Sequence, residues 1–344
     1  MHSVAQRGAW WRERYDELLE IAGRSTTPCM VYNEETINDI LFDFLYLEDV
    51  KEVFFPCGIG FHPDILDKAL RMGAGFTCTS TRETKRLSMS LSNLGGSRVL
   101  LVQGGEMDGP VPELLTACIC RVLDEAVRLE DLSGGPEGAW IFVSLDLGSR
   151  REEDISGVSV RKGVERVIRG LKEFPVSWMG FYLKGLDGVL REGIPRETVD
   201  WMSDLSSAVP GERLIVLGEG AVVLRKDETG RVAQAPTAEV LEMVREIFPD
   251  FDLWLDPGIR AFEASGLLLV REGDIKEGGG DPFGILEWAG RGPTGGIGRP
   301  FAGAYGGIKA GDVFVFPFLG AWGAAQDRIP KHYLRARRMC LVPL

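Results

Sequence analysis

Between residues 53 and 256 the chain alternates between short apolar runs of strand character and longer amphipathic runs of helical character, and this rhythm limits the fold more than any other feature. The strand-like runs are 53–57, 75–79, 98–102, 118–122, 139–147, 177–183, 214–217 and 253–256; the helix-like runs between them are 63–72, 82–89, 110–116, 124–129, 159–172, 195–206 and 237–247. Neighbouring parallel strands need a crossover of this length, whereas antiparallel neighbours need only a tight turn. Eight such strands predict an α/β protein built on a closed (β/α)8 TIM barrel.

The flanks follow another grammar. Trp10, Tyr15, Leu18, Leu19 and Ala22 recur at helical spacing before Gly23, which predicts a packing helix. Residues 28–32 read as a strand, and Asn33-Glu34-Glu35-Thr36 as the start of a helix carrying Ile37, Ile40, Leu41 and Phe44. Beyond Asp256 come closely spaced apolar runs, 312–317 and 339–342 among them, separated by glycine-rich stretches at 272–282 and 290–311. That pattern predicts a mainly antiparallel second domain. The expected division is a barrel over 34–256 and a β-rich domain assembled from 1–33 and 257–344. The tail KHYLRARR, 331–338, has the composition of a helix with a solvated basic face.

The formal charge of -12, from 51 acidic and 39 basic residues, argues against a nucleic-acid or anionic-membrane binder. The start MHSVAQRGAWWRERYDELLE lacks the apolar core of a signal peptide, so the expected location is cytoplasmic. The cysteines at 29, 57, 78, 118, 120 and 340 fall mostly in apolar runs and read as small buried hydrophobes. The only histidines are His2, His62 and His332, too scattered for a histidine metal site, and no metal is expected.

Several stretches together resemble the pyridoxal-phosphate (PLP) decarboxylases of alanine-racemase fold, the family of diaminopimelate, ornithine and arginine decarboxylases. TPCMVYNEETI, from Thr27, is similar to the family's T-P-x-x-V-Y-D-E-x-x-L; Gly73-Ala-Gly-Phe76 with Ser80 and Glu83 is similar to G-A-G-F-D-x-x-S-x-x-E, with Thr77 in place of the aspartate. Residues 55–66 lie on Y-A-V-K-A-N-x-x-x-x-I-L, which puts Gly58 where the family has its Schiff-base lysine. Residues 178–184, WMGFYLK, resemble G-L-H-F-H, with Lys184 in place of the histidine that stacks on the cofactor ring. Gly218-Glu219-Gly220 stands for the G-G-G phosphate cup, with a carboxylate opposing the anion. Leu253-Trp-Leu-Asp256-Pro-Gly258-Ile-Arg260 resembles L-x-L-E-P-G-R: Asp256 takes the place of the acid that pairs with the pyridine nitrogen, the family arginine falls on Ile259, and Arg260 comes one residue late. In an extended segment that shift turns the side chain to the other face. The family's shared cysteine falls on Gly295, and Trp322 replaces a phosphate-binding tyrosine.

The resemblance implies an alanine racemase-like fold and a homodimer. The substitutions at the functional positions imply that the chain does not decarboxylate. It is expected to be a partner or regulatory subunit, with an active paralogous decarboxylase as a possible companion, or a small-molecule binder. No covalent cofactor is expected, and PLP only as weak or relocated binding. The alternative is a diverged amino-acid lyase or decarboxylase that uses Lys184, or non-covalent PLP; against it stands a Lys184 exposed beyond its strand or paired with Asp187. A third reading, an unaltered decarboxylase in a different register, must draw its amine from Lys51 or Lys68.

Overall fold

The computed structural model describes residues 10–25, 29–57, 63–78, 80–90, 99–102, 117–120, 140–146, 177–184, 196–208, 213–218, 224–226, 232–234, 237–271, 313–317 and 331–334. In chain order the elements are helices α1 (Trp10–Glu13) and α2 (Tyr15–Arg24), strand β1 (Cys29–Asn33), α3 (Glu34–Leu45), β2 (Val50–Pro56), α4 (Pro63–Arg71), β3 (Gly75–Cys78), α5 (Thr81–Ser90), β4 (Val99–Val102), β5 (Ala117–Cys120), β6 (Trp140–Asp146), β7 (Ser177–Lys184), α6 (Arg196–Ala208), β8 (Leu214–Leu217), β9 (Leu224–Lys226), β10 (Val232–Gln234), α7 (Thr237–Ile247) and β11 (Asp252–Leu255). A 3-10 helix (Ile259–Ser265) then leads to β12 (Gly266–Arg271), β13 (Val313–Pro317) and β14 (Lys331–Leu334).

Strands β2 to β8 and β11 pair in parallel, and β11 closes on β2 to complete an eight-stranded barrel. Each of the eight strand-like runs expected between residues 53 and 256 overlaps a barrel strand, while the expected runs 28–32 and 312–317 fall in the second sheet and 339–342 lies outside the described residues. Phe54, Phe142, Tyr182, Leu214, Val216 and Trp254 form one buried cluster inside it. Trp254 joins the two phenylalanines, its ring centroid 5.3 Å from that of Phe54 and 5.7 Å from that of Phe142. At about 25 cal/mol per Å2 of apolar surface, these aromatic side chains carry a large share of the stabilisation of the interior.

The β6–β7 pairing holds one irregularity. Ile141 faces Trp178 and Phe142 faces Gly180, so Met179 has no register partner. The extra residue reverses the alternation of β7 from that point on. Gly180, at φ +152, supplies the backbone, and a Cβ there would lie 1.9 Å from the Leu214 carbonyl oxygen. Only glycine fits.

A second sheet, in the order β13-β12-β1-β14, gathers the two ends of the chain. β12 is antiparallel to both β1 and β13. β14 runs parallel to β1, with Met30 opposite Lys331 and Asn33 opposite Leu334, so 331–334 is a strand and not the start of a solvated tail helix. Pairing with a buried strand overrides the basic composition of KHYL. Trp10, Leu18 and Ala22 pack against Cys29, Val31, Leu267 and Leu269, and the Trp10 indole N–H donates to the Ala264 carbonyl at 3.0 Å. Tyr15 and Leu19 are exposed, against the expectation that they belong to this packing face. Asn33 ends β1 and caps α3, its Oδ1 accepting the Thr36 N–H at 2.8 Å; Ile37, Ile40, Leu41 and Phe44 are all buried.

Candidate functional site

Side chains alternate across a strand, so the residues two positions beyond the interior cluster also face inward. On β6 this carries Phe142 to Ser144, on β7 Tyr182 to Lys184, after β8 Val216 to Gly218, and after β11 Trp254 to Asp256. On β2, Phe54 leads to Pro56, whose register partner on β3 is Thr77. All lie toward the carboxyl ends of the strands, the face where barrels of this kind carry their chemistry.

Asp256 is the centre of this mouth. Its N–H continues the ladder to the Leu217 carbonyl at 2.7 Å, and its side chain is buried. Tyr182 Oη donates to Asp256 Oδ2 at 2.9 Å, and the Gly258 N–H donates to Oδ1 at 3.0 Å. The second bond is an Asx turn, and Gly258 follows it at φ +70, a conformation that favours glycine. A carboxylate withdrawn from water needs such partners, and hydrogen bonds to a charged group contribute about 1.5–3 kcal/mol each.

Tyr182 is itself 2% exposed. Its ring lies flush on Gly218, where a Cβ would come within 2.3 Å of Cζ and 2.6 Å of Oη. The Gly218 N–H donates to the Leu183 carbonyl at 2.8 Å. Lys184 is a strand residue, 8% exposed, with Nζ 5.7 Å from the Tyr182 ring centroid; it does not extend beyond the strand into solvent. A cation over an aromatic face contributes on the order of 1 kcal/mol or more when desolvated. The Lys184 backbone is in register with Asp146. Asp187 lies outside the described residues.

The hydroxyls of Ser144 and Thr77 are buried without a hydrogen-bond partner among the described residues. Next to Thr77, the Cys57 N–H donates to the Thr77 carbonyl at 2.7 Å, and Cys57 Sγ lies 3.9 Å from the Glu83 carbonyl oxygen. The hydrogen bond shared with Cys78, burial, and the charges of Cys78 and Glu83 all push the Cys57 thiol up. It is a thiol that holds its proton, beside the mouth.

Of the residues that sequence reasoning assigned to the site, the structure brings together Lys184, Gly218, Asp256 and Gly258. Gly58, Glu219, Gly220, Gly295 and Trp322 lie outside the described residues. Ile259 and Arg260 open a 3-10 helix and not an extended segment. Lys51 is exposed and pairs with Asp252 at 2.5 Å, at the amino end of β11; Lys68, on α4, pairs with Glu34 at 2.9 Å. Neither belongs to the inward-facing set at the mouth. Tyr182 was overlooked as a site residue, although its spacing of two from Lys184 on a strand already placed both on one face.

PLP, the cofactor that the fold implies, needs an acid free to meet its ring nitrogen, an amine, and amides that hold its phosphate. Here a ring approaching Asp256 Oδ2 meets the Tyr182 hydroxyl, the other oxygen holds the Gly258 N–H, and the Gly218 N–H is committed to Leu183. The positions that the resemblance assigns to its amine and to most of its phosphate contacts, 58, 219, 220 and 322, lie outside the described residues.

No known family model and no curated protein matches the sequence. Solved structures do match the fold. The arginine decarboxylase of Paramecium bursaria Chlorella virus, bound to agmatine, aligns at 11% identity over 75% of this chain and 71% of its own, with a TM-score of 0.57. The lysine decarboxylase of Selenomonas ruminantium aligns at 15% identity over 74% and 69%, with a TM-score of 0.58. The diaminopimelate decarboxylase of Helicobacter pylori, complexed with L-lysine, aligns at 13% identity over 75% and 69%, with a TM-score of 0.60. With its closed parallel barrel and second β sheet, the chain has the alanine-racemase fold that the PLP-dependent decarboxylases use.

Proposed function

We propose that this chain keeps the decarboxylase fold without the reaction, and acts as a partner or regulatory subunit or as a binder of a small molecule. One observation carries the reading: Tyr182 engages Asp256 with its hydroxyl and covers Gly218 with its ring. The acid that the resemblance assigns to a pyridine nitrogen is thereby served from within the chain. Gly58 at the family lysine position, Glu219 in the phosphate cup, Gly295 at the shared cysteine and Trp322 at the phosphate tyrosine point the same way. The proposed division is a barrel over 34–256 and a second domain from 1–33 and 257–344, in a homodimer. Among the described residues no helix is long and apolar enough to cross a membrane.

The test is to add PLP to the purified protein, record the visible spectrum, reduce with borohydride and map the peptides. The expected result is an unchanged spectrum and no phosphopyridoxyl-lysine. A labelled lysine and carbon dioxide release from a basic amino acid would overturn the reading.

A second reading is favoured by Lys184, a buried amine that faces inward at the mouth. A lyase that uses this amine would be labelled at Lys184 in the same experiment, and Lys184→Ala would abolish the label. Copurification with an active decarboxylase would select the subunit role over the binder role.

A further inference from the structure

The interior of a barrel is a packed core, so a side chain that bridges two strands at its mouth fills a place of definite shape. Tyr182 is such a side chain. Its hydroxyl bonds Asp256, 74 residues away; its ring rests on Gly218, the residue after β8, with no space for even a methyl group; Lys184 lies over the ring. Three independent neighbours therefore specify a flat six-membered ring with a hydrogen-bond donor at one end. The donor is directed at a carboxylate that no water reaches freely, since Asp256 is 4% exposed.

We infer that the Tyr182 ring fills a place of definite shape at the barrel mouth, between Asp256 and Gly218, and that this place, once emptied, takes a small phenol. The ligand class follows from the fit: a planar ring, uncharged, with a hydroxyl para to the point where the side chain joined. The inference rests on the reading that this mouth does not hold PLP. It adds to that reading that the native state is complete without any ring ligand, because the ring is covalently present.

Truncation tests it by complementation, since a buried void left by an aromatic side chain admits small aromatic molecules of matching shape. Tyr182→Ala is titrated with 4-methylphenol, which restores the missing atoms, and with toluene, which restores all but the hydroxyl, while thermal unfolding is followed by circular dichroism. The expected result is a rise in the melting temperature of the variant with 4-methylphenol, and binding about tenfold weaker for toluene, the cost of one hydrogen bond. Wild type and Tyr182→Phe, whose slots are filled, are expected to respond to neither. If Tyr182→Ala is recovered unfolded, the readout becomes refolding yield with each compound, and only 4-methylphenol is expected to raise it. Equal effects of the two compounds, no effect of either, or an equal response by wild type would overturn the slot. These failures differ from failure of the reading on which it rests, which would appear as PLP capture by wild type, without reference to the variant.

Discussion

Stepping two residues toward the carboxyl ends of three strands changes the interior of this barrel from apolar to polar: Phe142 gives way to Ser144, Val216 to Gly218 and Trp254 to Asp256. The inner set is optimised for burial, with rings 5.3 and 5.7 Å apart around Trp254. The outer set is not, because Ser144 and Thr77 leave buried hydroxyls without partners among the described residues, and an unmade bond of this kind costs about 1–3 kcal/mol. The contrast teaches where selection for stability stops. A mouth that had lost all use would be expected to fill with leucine and valine; this one retains an acid, a phenol, a lysine and hydroxyls.

The largest effect expected to probe this contrast is in the inner set. Trp254→Ala should lower the unfolding free energy by about 3–5 kcal/mol in a denaturant titration. A loss below about 1 kcal/mol would show that the inner aromatics do not anchor the barrel. In the outer set, Gly218→Ala places a methyl group inside the Tyr182 ring and should cost about 1–3 kcal/mol, with a changed near-ultraviolet tyrosine signal. An unaltered signal would mean that the ring does not rest there.

A smaller effect depends on pH. The folded Cys57 thiol holds its proton more tightly than the unfolded one, so its contribution is whole below about pH 8.5, where both states are protonated. Above that only the unfolded thiol ionises, and stability should fall by up to about 1.4 kcal/mol per pH unit. Tyr32, raised by burial, adds a second loss above about pH 10. Cys57→Ala should flatten the slope between pH 8.5 and 10, whatever its effect at neutrality; an unchanged slope would refute the assignment. The smallest effect separates the two sets most sharply: Ser144→Ala removes an unpartnered buried hydroxyl and should raise the unfolding free energy by about 1 kcal/mol in the same denaturant titration. A loss above about 2 kcal/mol would mean that the hydroxyl is bonded.

The barrel was legible in the sequence because its signals are local: alternation, strand length and crossover length are all written within a dozen residues. The capping of α3 by Asn33 was legible for the same reason. The 331–334 segment was not, because its strand character comes from Met30–Asn33, three hundred residues earlier in the chain by rough count. The 3-10 turn that follows Pro257 and Gly258 was not legible either, because the motif around Asp256 reads as extended. Asp256 could be recognised from DPG, but its partner could not, since a bond between Tyr182 and Asp256 spans 74 residues. Motif resemblance locates a group; it does not say what already touches it.

Met179 is the residue of β7 with no register partner on β6. Shortening the strand by that single residue would exchange its two sides: Phe181 would turn toward the barrel axis, while Tyr182 and Lys184 would be carried out toward the surrounding helices. The whole chemical character of this strand's tip therefore hangs on a count, and a relative of this chain with one residue fewer at that place would carry the same letters with an unrelated mouth.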